Sequence, residues 1–191
     1  MFAFKNKYFF IIENIKDIDL RNIKITGKYN LVYRNENIPD KIEELLAFRK
    51  VCKSKKIDFY VSNHVKLAKL LKADGIYLSS HNKDLSLINI KKTNMKMIGS
   101  AHNIKEINIK KLQGCSDIIF SRLFKTSYPN KKGFLGVVRF NLLKISIKEN
   151  LVPLGGIRIF NLNKTKLVMC NSIAISSEIK KKPAKIISRL F

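Results

Sequence analysis

Short runs of apolar and β-branched residues recur along the whole chain at fairly regular intervals. Each run has four or five residues, which is the length of a buried strand. Several runs are apolar at successive positions, a pattern typical of a parallel sheet that is covered on both faces. The eight predicted strands are Tyr8–Ile12, Tyr29–Tyr33, Ile57–Val61, Gly75–Leu78, Met95–Ile98, Asp117–Phe120, Leu151–Leu154 and Ser172–Ile175.

Between most of these runs, apolar residues recur with helical spacing. Strands that alternate with helices or short crossovers predict the α/β class and a single compact (β/α)8 TIM barrel over residues 1–191. Because 191 residues is small for such a barrel, we expect short loops and at least one shortened helix. An open doubly wound sheet is the alternative, although it usually has fewer strands. The helical segments are marked by Ile42, Leu45, Leu46 and Arg49, by Val65, Ala68 and Leu71, by Ile104, Ile107 and Leu112, by Leu142, Leu143 and Ile147, and by Ile186, Ile187 and Leu190.

The composition is that of a globular protein. Hydrophobic residues make up 46% of the chain, which is enough to build a core. No apolar run is long enough to cross a bilayer and no secretory signal opens the sequence, so we expect a cytoplasmic protein with no membrane partner. The cysteines are odd in number and widely separated, as is typical of reduced thiols, and no zinc-binding spacing is present. These residues are Cys52, Cys115 and Cys170, together with the histidines His64, His81 and His102.

The formal net charge of +24 is less informative than its size suggests. It arises from 31 Lys and only 7 Arg, whereas recognition of phosphates and bases favours the planar fork of Arg. The basic pairs, Lys110-Lys111 among them, are spread along the chain instead of forming one surface. We therefore expect no nucleic-acid partner, and a small anionic ligand is the better interpretation of the positive charge.

Polar residues follow the apolar runs at the point where each strand ends. In a barrel these ends meet at one mouth, which is where barrel enzymes place their chemistry. Gly155-Gly156 follows the seventh strand and lets backbone N–H groups approach an anion, and Ser176-Ser177 follows the eighth and can begin a helix. Barrels often hold phosphate between these two loops, so the spacing predicts a phosphate site there.

Several motifs in order along the chain resemble the thiamine-phosphate synthases and the related thiazole tautomerases. The resemblance covers nearly the whole chain and includes a divergent branch of the family that carries F-x-T-x-S-H-P after the sixth strand. The motifs are Val32-Tyr33-Arg34, Ala73-Asp74-Gly75-Ile76-Tyr77-Leu78, Ile98-Gly99-Ser100-Ala101-His102, Phe124-Lys125-Thr126-Ser127-Tyr128-Pro129, Leu154-Gly155-Gly156-Ile157 and Ile173-Ala174-Ile175-Ser176-Ser177.

The resemblance implies a reaction between two phosphorylated heterocycles. A hydroxymethylpyrimidine diphosphate loses pyrophosphate, with Mg²⁺ holding the leaving group, and the nitrogen of a thiazole phosphate captures the pyrimidine methylene carbon. The implied catalytic residues are Arg34, Ser100 and His102. The implied phosphate- and substrate-binding residues are Thr126, Ser127, Lys131, Lys132, Gly155, Gly156, Ser176 and Ser177. The Thr126–Gly133 loop is a candidate lid, or a surface loop of variable sequence.

The sequence departs from the family at the metal-binding positions. The Asn-Asp pair after the third strand reads Ser62-Asn63, and the second metal-binding Asp falls near Asn82, with Asp84 close by. Asn63, Asn82 and Asp84 are therefore the only candidates that the resemblance offers for Mg²⁺. The phosphate-holding residues are retained, whereas the half of the site that handles the diphosphate is altered.

Three interpretations follow from this pattern. The first is a divergent synthase in which Asn63, Asn82 or Asp84 holds the metal together with substrate oxygens, since hard cations accept amide carbonyls. The second is a thiazole tautomerase, which needs no metal and would use His102 as a general acid or base. The third is a barrel without catalytic activity that binds a phosphorylated metabolite.

Overall fold

The strands close into a parallel barrel. In the computed structural model of the protein, residues 5–24, 26–35, 40–127 and 133–190 are described, apart from the side chains of residues 90–93. Eight parallel strands pair in sequence order, and the last pairs with the first. The strands are β1 (Lys7–Ile12), β2 (Tyr29–Tyr33), β3 (Asp58–Ser62), β4 (Gly75–Leu78), β5 (Lys96–Ala101), β6 (Asp117–Ser121), β7 (Asn150–Leu154) and β8 (Ser172–Ile175). The predicted (β/α)8 barrel is confirmed, and the open sheet is wrong.

Helices lie in the intervals where the sequence has helical spacing. They are α1 (Ile42–Ser54), α2 (Val65–Leu70), α3 (Ile104–Leu112), α4 (Gly136–Ser146), α5 (Ser177–Lys181) and α6 (Pro183–Ser188). The crossovers after β1, β4 and β7 carry 3₁₀ helices in the described residues, as expected for a short chain. These 3₁₀ helices are Ile15–Asp17, Leu20–Asn22, Leu85–Thr93 and Ile159–Leu167.

Alternate residues of each strand fill the barrel, because successive side chains of a strand point to opposite faces. The inward-facing residues form one buried apolar cluster, separate from the larger cluster between strands and helices. The inward cluster consists of Phe9, Ile11, Val32, Tyr60, Tyr77, Ile98, Ile119, Val152 and Ala174, with Leu154 packed against it. The barrel interior is therefore a packed core.

For each of the eight strands, the residue two positions after the last inward apolar residue is polar or is a glycine. The period of two places these residues on the same inward face, one layer above the core, at the carboxyl ends of the strands. Six of the eight line a single cavity, the exceptions being Glu13 and Ser62. The complete layer is Glu13, Arg34, Ser62, Ser79, Ser100, Ser121, Gly156 and Ser176.

The Ala73-Asp74-Gly75 motif ties three elements together below the mouth. One carboxylate oxygen of Asp74 accepts a hydrogen bond from the backbone N–H of Phe59 at 2.7 Å, and the other pairs with Arg49 at 2.9 Å. A Cβ atom on Gly75 would lie 2.3 Å from the carbonyl oxygen of Lys96 and 2.6 Å from the ring of Tyr60. The motif is therefore explained by strand packing, which holds the barrel wall beneath the site.

Within the described residues, none of the helices combines the length and the apolar character needed to cross a membrane.

Candidate active site

Besides a cavity of about 630 Å³ between α2 and the ends of β2 and β3, a cavity of about 360 Å³ opens at the carboxyl ends of the strands. Residues from β2 and β4 to β8, or from the loops that follow them, form its wall. Tyr77, Leu154 and Ala174 belong both to this cavity and to the inward core, so the top of the core is the floor of the cavity. Eight of the residues predicted from the sequence line it, namely Arg34, Ser100, His102, Thr126, Gly155, Gly156, Ser176 and Ser177.

The Gly155-Gly156 turn is required by the backbone. Both residues have positive φ angles, 99° and 67°, a conformation that side chains oppose. A Cβ atom on Gly156 would lie 2.5 Å from the carbonyl oxygens of Phe124 and Lys125. The turn is held by the bond from the Phe124 N–H to the Gly155 carbonyl at 3.0 Å and by the bond from the Asn161 amide to the Gly156 carbonyl at 2.8 Å. The loops after β6 and β7 are therefore in direct contact on one side of the cavity.

The loop after β6 contributes a buried hydroxyl. Thr126 Oγ1 is shielded from solvent, and no described residue makes a hydrogen bond to it. Ser127 is exposed and is not among the residues that line the cavity. Lys131 and Lys132, and most of the candidate lid, lie outside the described residues. Of the residues predicted in this loop, Thr126 is thus the one that lines the cavity, and its hydroxyl is available to hydrogen-bond a ligand.

His102 is held by two elements at once. Its Nδ1 atom lies 2.7 Å from Oγ of Ser121, and its backbone N–H donates to the carboxylate of Glu106 at 2.7 Å. Asn103 accepts a hydrogen bond from the Glu106 N–H at 2.9 Å, so the start of α3 fixes the chain beside His102. Ser121 is not among the predicted site residues. It could have been found from its position two residues after the inward Ile119, because this spacing places its side chain at the mouth of the barrel.

Two cations share a carboxylate on the opposite side of the mouth. Glu13 lies 2.6 Å from Nζ of Lys180 and 3.5 Å from the guanidinium of Arg34. The hydrogen bond from Lys180 holds the pKa of the Glu13 carboxyl below its ordinary value. Neither Glu13 nor Lys180 is predicted from the sequence, because they approach each other only when β8 closes against β1.

The candidate metal-binding residues meet in space, but as hydrogen-bonded amides. The Asn82 amide donates to Oδ1 of Asn63 at 3.3 Å, and the same oxygen accepts the N–H of Ser79 at 3.0 Å. Oδ1 of Asn82 accepts from the Gln113 amide and from the Asp84 N–H, both at 3.1 Å. A carbonyl oxygen has two lone pairs, so each of these amide oxygens is already fully used.

The same residues do not fit a hard divalent cation. Asp84 is exposed, and one of its carboxylate oxygens accepts both the N–H and the hydroxyl of Ser86, at 2.9 and 2.6 Å. These hydrogen bonds lower the pKa of the Asp84 carboxyl. Among the described residues, no three His, Cys, Asp or Glu side chains are grouped to hold a metal. Mg²⁺ prefers several carboxylate and carbonyl oxygens, and among these three residues only the exposed Asp84 carries a carboxylate.

The closed parallel barrel has a glycine turn, hydroxyls, a histidine and an arginine in one cavity at its strand ends. The carboxyl ends of the strands are where (β/α)8 barrel proteins place their functional sites. The chain matches the family described as thiamine monophosphate synthase over residues 24–179. It belongs to that family.

Individual relatives agree with this assignment. The chain is 32% identical over 160 residues to a thiamine-phosphate synthase of Prochlorococcus marinus, covering 80% of this chain and 45% of that protein. It is 31% identical over 151 residues to a thiamine-phosphate synthase of Pelagibacter ubique, covering 74% and 71%. The chain thus spans about half the length of the Prochlorococcus relatives that it matches, 45% and 47%.

A solved structure confirms the fold. The barrel superimposes on the thiamine phosphate pyrophosphorylase from Pyrococcus furiosus with a TM-score of 0.72. The match covers 97% of both chains at 18% sequence identity. At this identity the comparison concerns the fold alone.

Proposed function

We propose that the protein is a transferase that joins hydroxymethylpyrimidine diphosphate to thiazole phosphate, giving thiamine phosphate and pyrophosphate. The family membership supports this reaction class. The observation that carries the proposal is the cavity at the strand ends in which the glycine turn, Thr126 and Arg34 are brought together. In this reaction the bond from the methylene carbon to the diphosphate oxygen breaks, and a bond from that carbon to the thiazole nitrogen forms.

The thiazole phosphate is assigned to the side of the cavity formed by the loops after β6, β7 and β8. Gly155 and Gly156 carry no side chain that would keep an anion from the backbone, and no described residue accepts a hydrogen bond from the Gly156 N–H. The buried hydroxyl of Thr126 and the hydroxyls of Ser176 and Ser177 complete a donor-rich wall. A phosphate there would receive hydrogen bonds that the free protein leaves unmade. Ser127, Lys131 and Lys132 are additional candidates from the sequence.

The diphosphate is assigned to the side that carries Arg34. A guanidinium can hold two oxygens of the leaving pyrophosphate and stabilise the charge that develops as the bond to carbon breaks. Lys180 is a second cation at this position, since it shares Glu13 with Arg34. An incoming diphosphate would compete with Glu13 for both cations.

His102 and Ser100 are assigned to the region between the two substrates. Both line the cavity at the end of β5. A ring nitrogen of an imidazole can donate or accept a proton, so His102 can share a proton with the departing pyrophosphate, and Ser121 keeps its ring in one orientation. The same pair would serve a thiazole tautomerase, which needs proton transfer near a phosphate site, and this is the second candidate function.

The decisive experiment is an assay of purified protein with both substrates, with Mg²⁺ or with chelator. Formation of thiamine phosphate and pyrophosphate, lost in Arg34→Gln, would establish the transferase. The matched control is Arg21→Gln, which removes an exposed arginine whose partner is the neighbouring Asp19. Isomerisation of thiazole carboxylate phosphate without coupling, lost in His102→Ala, would establish the tautomerase instead. Binding of thiazole phosphate without either reaction would leave only the non-catalytic barrel.

A further inference from the structure

Lys110 is a fully buried cation beside the loop that follows β4. Its side chain is 0% exposed, although it lies on α3 next to the exposed Lys111. Its Nζ atom donates to the backbone carbonyl of Asn82 at 2.6 Å and to Oε1 of Gln113 at 2.8 Å. The room for it comes from Gly99, where a Cβ atom would lie 2.6 Å from Cδ of Lys110.

Lys110 and Gln113 together use the oxygens of Asn82. The Gln113 amide donates to the backbone carbonyl of Asn82 at 3.2 Å, to its side-chain oxygen at 3.1 Å and to the carbonyl of Asp84 at 3.0 Å. The Asn82 carbonyl therefore accepts from two buried donors, one of them an ammonium group. A metal ion that took Asn82 as a ligand would have to displace these donors.

The charge on Lys110 opposes a metal as well. An ammonium 2.6 Å from the Asn82 carbonyl would stand beside any divalent cation bound by the oxygens of Asn82, and like charges repel most strongly where water is excluded. Little negative charge is available for a metal, because the paired residues Asn63 and Asn82 are both neutral and Asp84 is the one carboxylate among the three candidate residues.

We propose that the Lys110–Gln113 pair replaces a divalent cation at this end of the barrel. The ammonium group of Lys110 holds the loop after β4 through the Asn82 carbonyl. In the family, a metal bound by carboxylates would occupy this end of the barrel. Through that loop it positions Ser79, Ser80 and His81 in the wall of the cavity. The free protein then has no divalent-cation site at Asn63 and Asn82. This holds whether or not thiamine phosphate is the product, because it concerns the protein without substrates.

The test measures the binding of Mn²⁺ alone. The electron paramagnetic resonance signal of the free ion reports how much Mn²⁺ remains unbound. Wild-type protein is expected to take up no Mn²⁺ at this position. The double variant Asn63→Asp with Asn82→Asp, which restores carboxylates, is expected to bind it weakly. Adding Lys110→Gln, which keeps a donor but removes the charge, should tighten binding at least about tenfold, because ligand charge sets the affinity of such sites. Adding Lys105→Gln, an exposed lysine of the same helix, should leave the affinity of the double variant unchanged.

Two results would overturn the proposal. One is Mn²⁺ binding by wild-type protein that is lost in Asn82→Ala. The other is equal Mn²⁺ affinity in the carboxylate variants with and without Lys110. If Lys110→Gln does not fold in the carboxylate background, single Lys110→Gln and Lys105→Gln proteins are compared by amide hydrogen exchange of residues 79–84. Faster exchange in the Lys110 variant alone supports the positioning role, and equal exchange contradicts it.

Discussion

The hydroxyl oxygen of Ser121 lies 2.7 Å from Nδ1 of His102 and thereby joins the ends of the adjacent strands β6 and β5 at the mouth of the barrel. The contact leaves Nε2 as the ring nitrogen without a protein partner among the described residues. A hydrogen bond to one ring nitrogen gives a histidine a defined ring orientation, and a serine hydroxyl can form it as donor or as acceptor. The orientation of the His102 ring is therefore coupled to a residue that lies 19 positions further along the chain.

Ser121→Ala is expected to weaken this control of His102. Loss of a hydrogen bond worth about 1 kcal/mol would release the ring from this orientation and lower kcat about fivefold, with little effect on KM. The ring ¹⁵N resonances of His102 report the loss of the contact.

The control for Ser121→Ala is Ser188→Ala, which removes an exposed hydroxyl on α6. It should leave both the His102 resonances and the rate unchanged. Identical His102 resonances in the wild type and in Ser121→Ala would show that the hydroxyl does not hold the ring.

Gly156→Ala is expected to destabilise the protein by about 3 kcal/mol, since it combines an unfavourable φ with a steric clash against the loop after β6. Gly27 offers the matched control, because its φ is also positive, at 75°, yet a Cβ atom there would have no neighbour within 4 Å. Gly27→Ala should cost only about 1 kcal/mol. Urea unfolding of both variants gives the comparison, and equal losses would mean that the contact with Phe124 and Lys125 yields easily.

Thr126→Val should stabilise the free protein and weaken phosphate binding. Removing a buried hydroxyl that has no described partner is expected to raise the free energy of unfolding by about 1 kcal/mol. Loss of a hydrogen bond to phosphate would weaken thiazole phosphate binding about tenfold. Calorimetry and thermal unfolding measure the two effects.

Thr165 is the matched control for Thr126, because it is buried and its hydroxyl already donates to the Leu162 carbonyl at 2.6 Å. Thr165→Val should therefore lower stability and leave phosphate binding unchanged. If Thr126→Val behaves in the same way as Thr165→Val, the hydroxyl of Thr126 has a structural role and does not bind the ligand.

Glu13→Gln tests the electrostatics of the other side of the mouth. Because Lys180 lowers the pKa of Glu13, the ion pair stabilises the fold above the ordinary carboxyl pKa of 4.5 and loses its effect as the pH falls through the lower folded value. The side chain of Glu13 is 53% exposed, so the difference at neutral pH should be only about 0.5 kcal/mol. Urea unfolding over a pH series should show that wild type and variant converge in acid.

Salt provides the check on Glu13. Exposed ion pairs are screened, so high ionic strength should reduce the difference between wild type and Glu13→Gln at neutral pH. A difference that persists unchanged in acid and in high salt would indicate that the substitution acts through packing. The freed cations should also bind pyrophosphate more tightly in the variant.

The sequence predicts the barrel because its strands are continuous apolar runs, the clearest pattern that a chain can carry. In the described residues, the intervals without helical spacing contain only 3₁₀ helices. The absence of helical spacing therefore indicates where the α-helices of the barrel are missing. The strand β5 runs three residues past its predicted end, to Ala101, because Gly99 and Ser100 pair with the neighbouring β6. Such an extension depends on pairing and is not visible in local composition.

The sequence predicts several residues that line the cavity but not the contacts that they make. Arg34, His102 and Gly156 can be found because strand ends converge in a barrel, and the sequence order of the strands determines which ends they are. Lys110 is, in the sequence, one of many dispersed lysines, since its burial depends on the missing side chain of Gly99 in another element. Hydrogen-bond partners of this kind are set by the tertiary structure, and no local pattern records them.

The sharing of residues between the core and the cavity floor has one more consequence. Ala174 is the smallest side chain of the inward cluster, and it lies at the floor beside Tyr77 and Leu154. The pocket above β8 therefore extends into the volume that the small side chain of Ala174 leaves unfilled. A larger side chain there would extend the core into the cavity and reduce the space for a ligand, so at this position the core and the ligand compete for one volume.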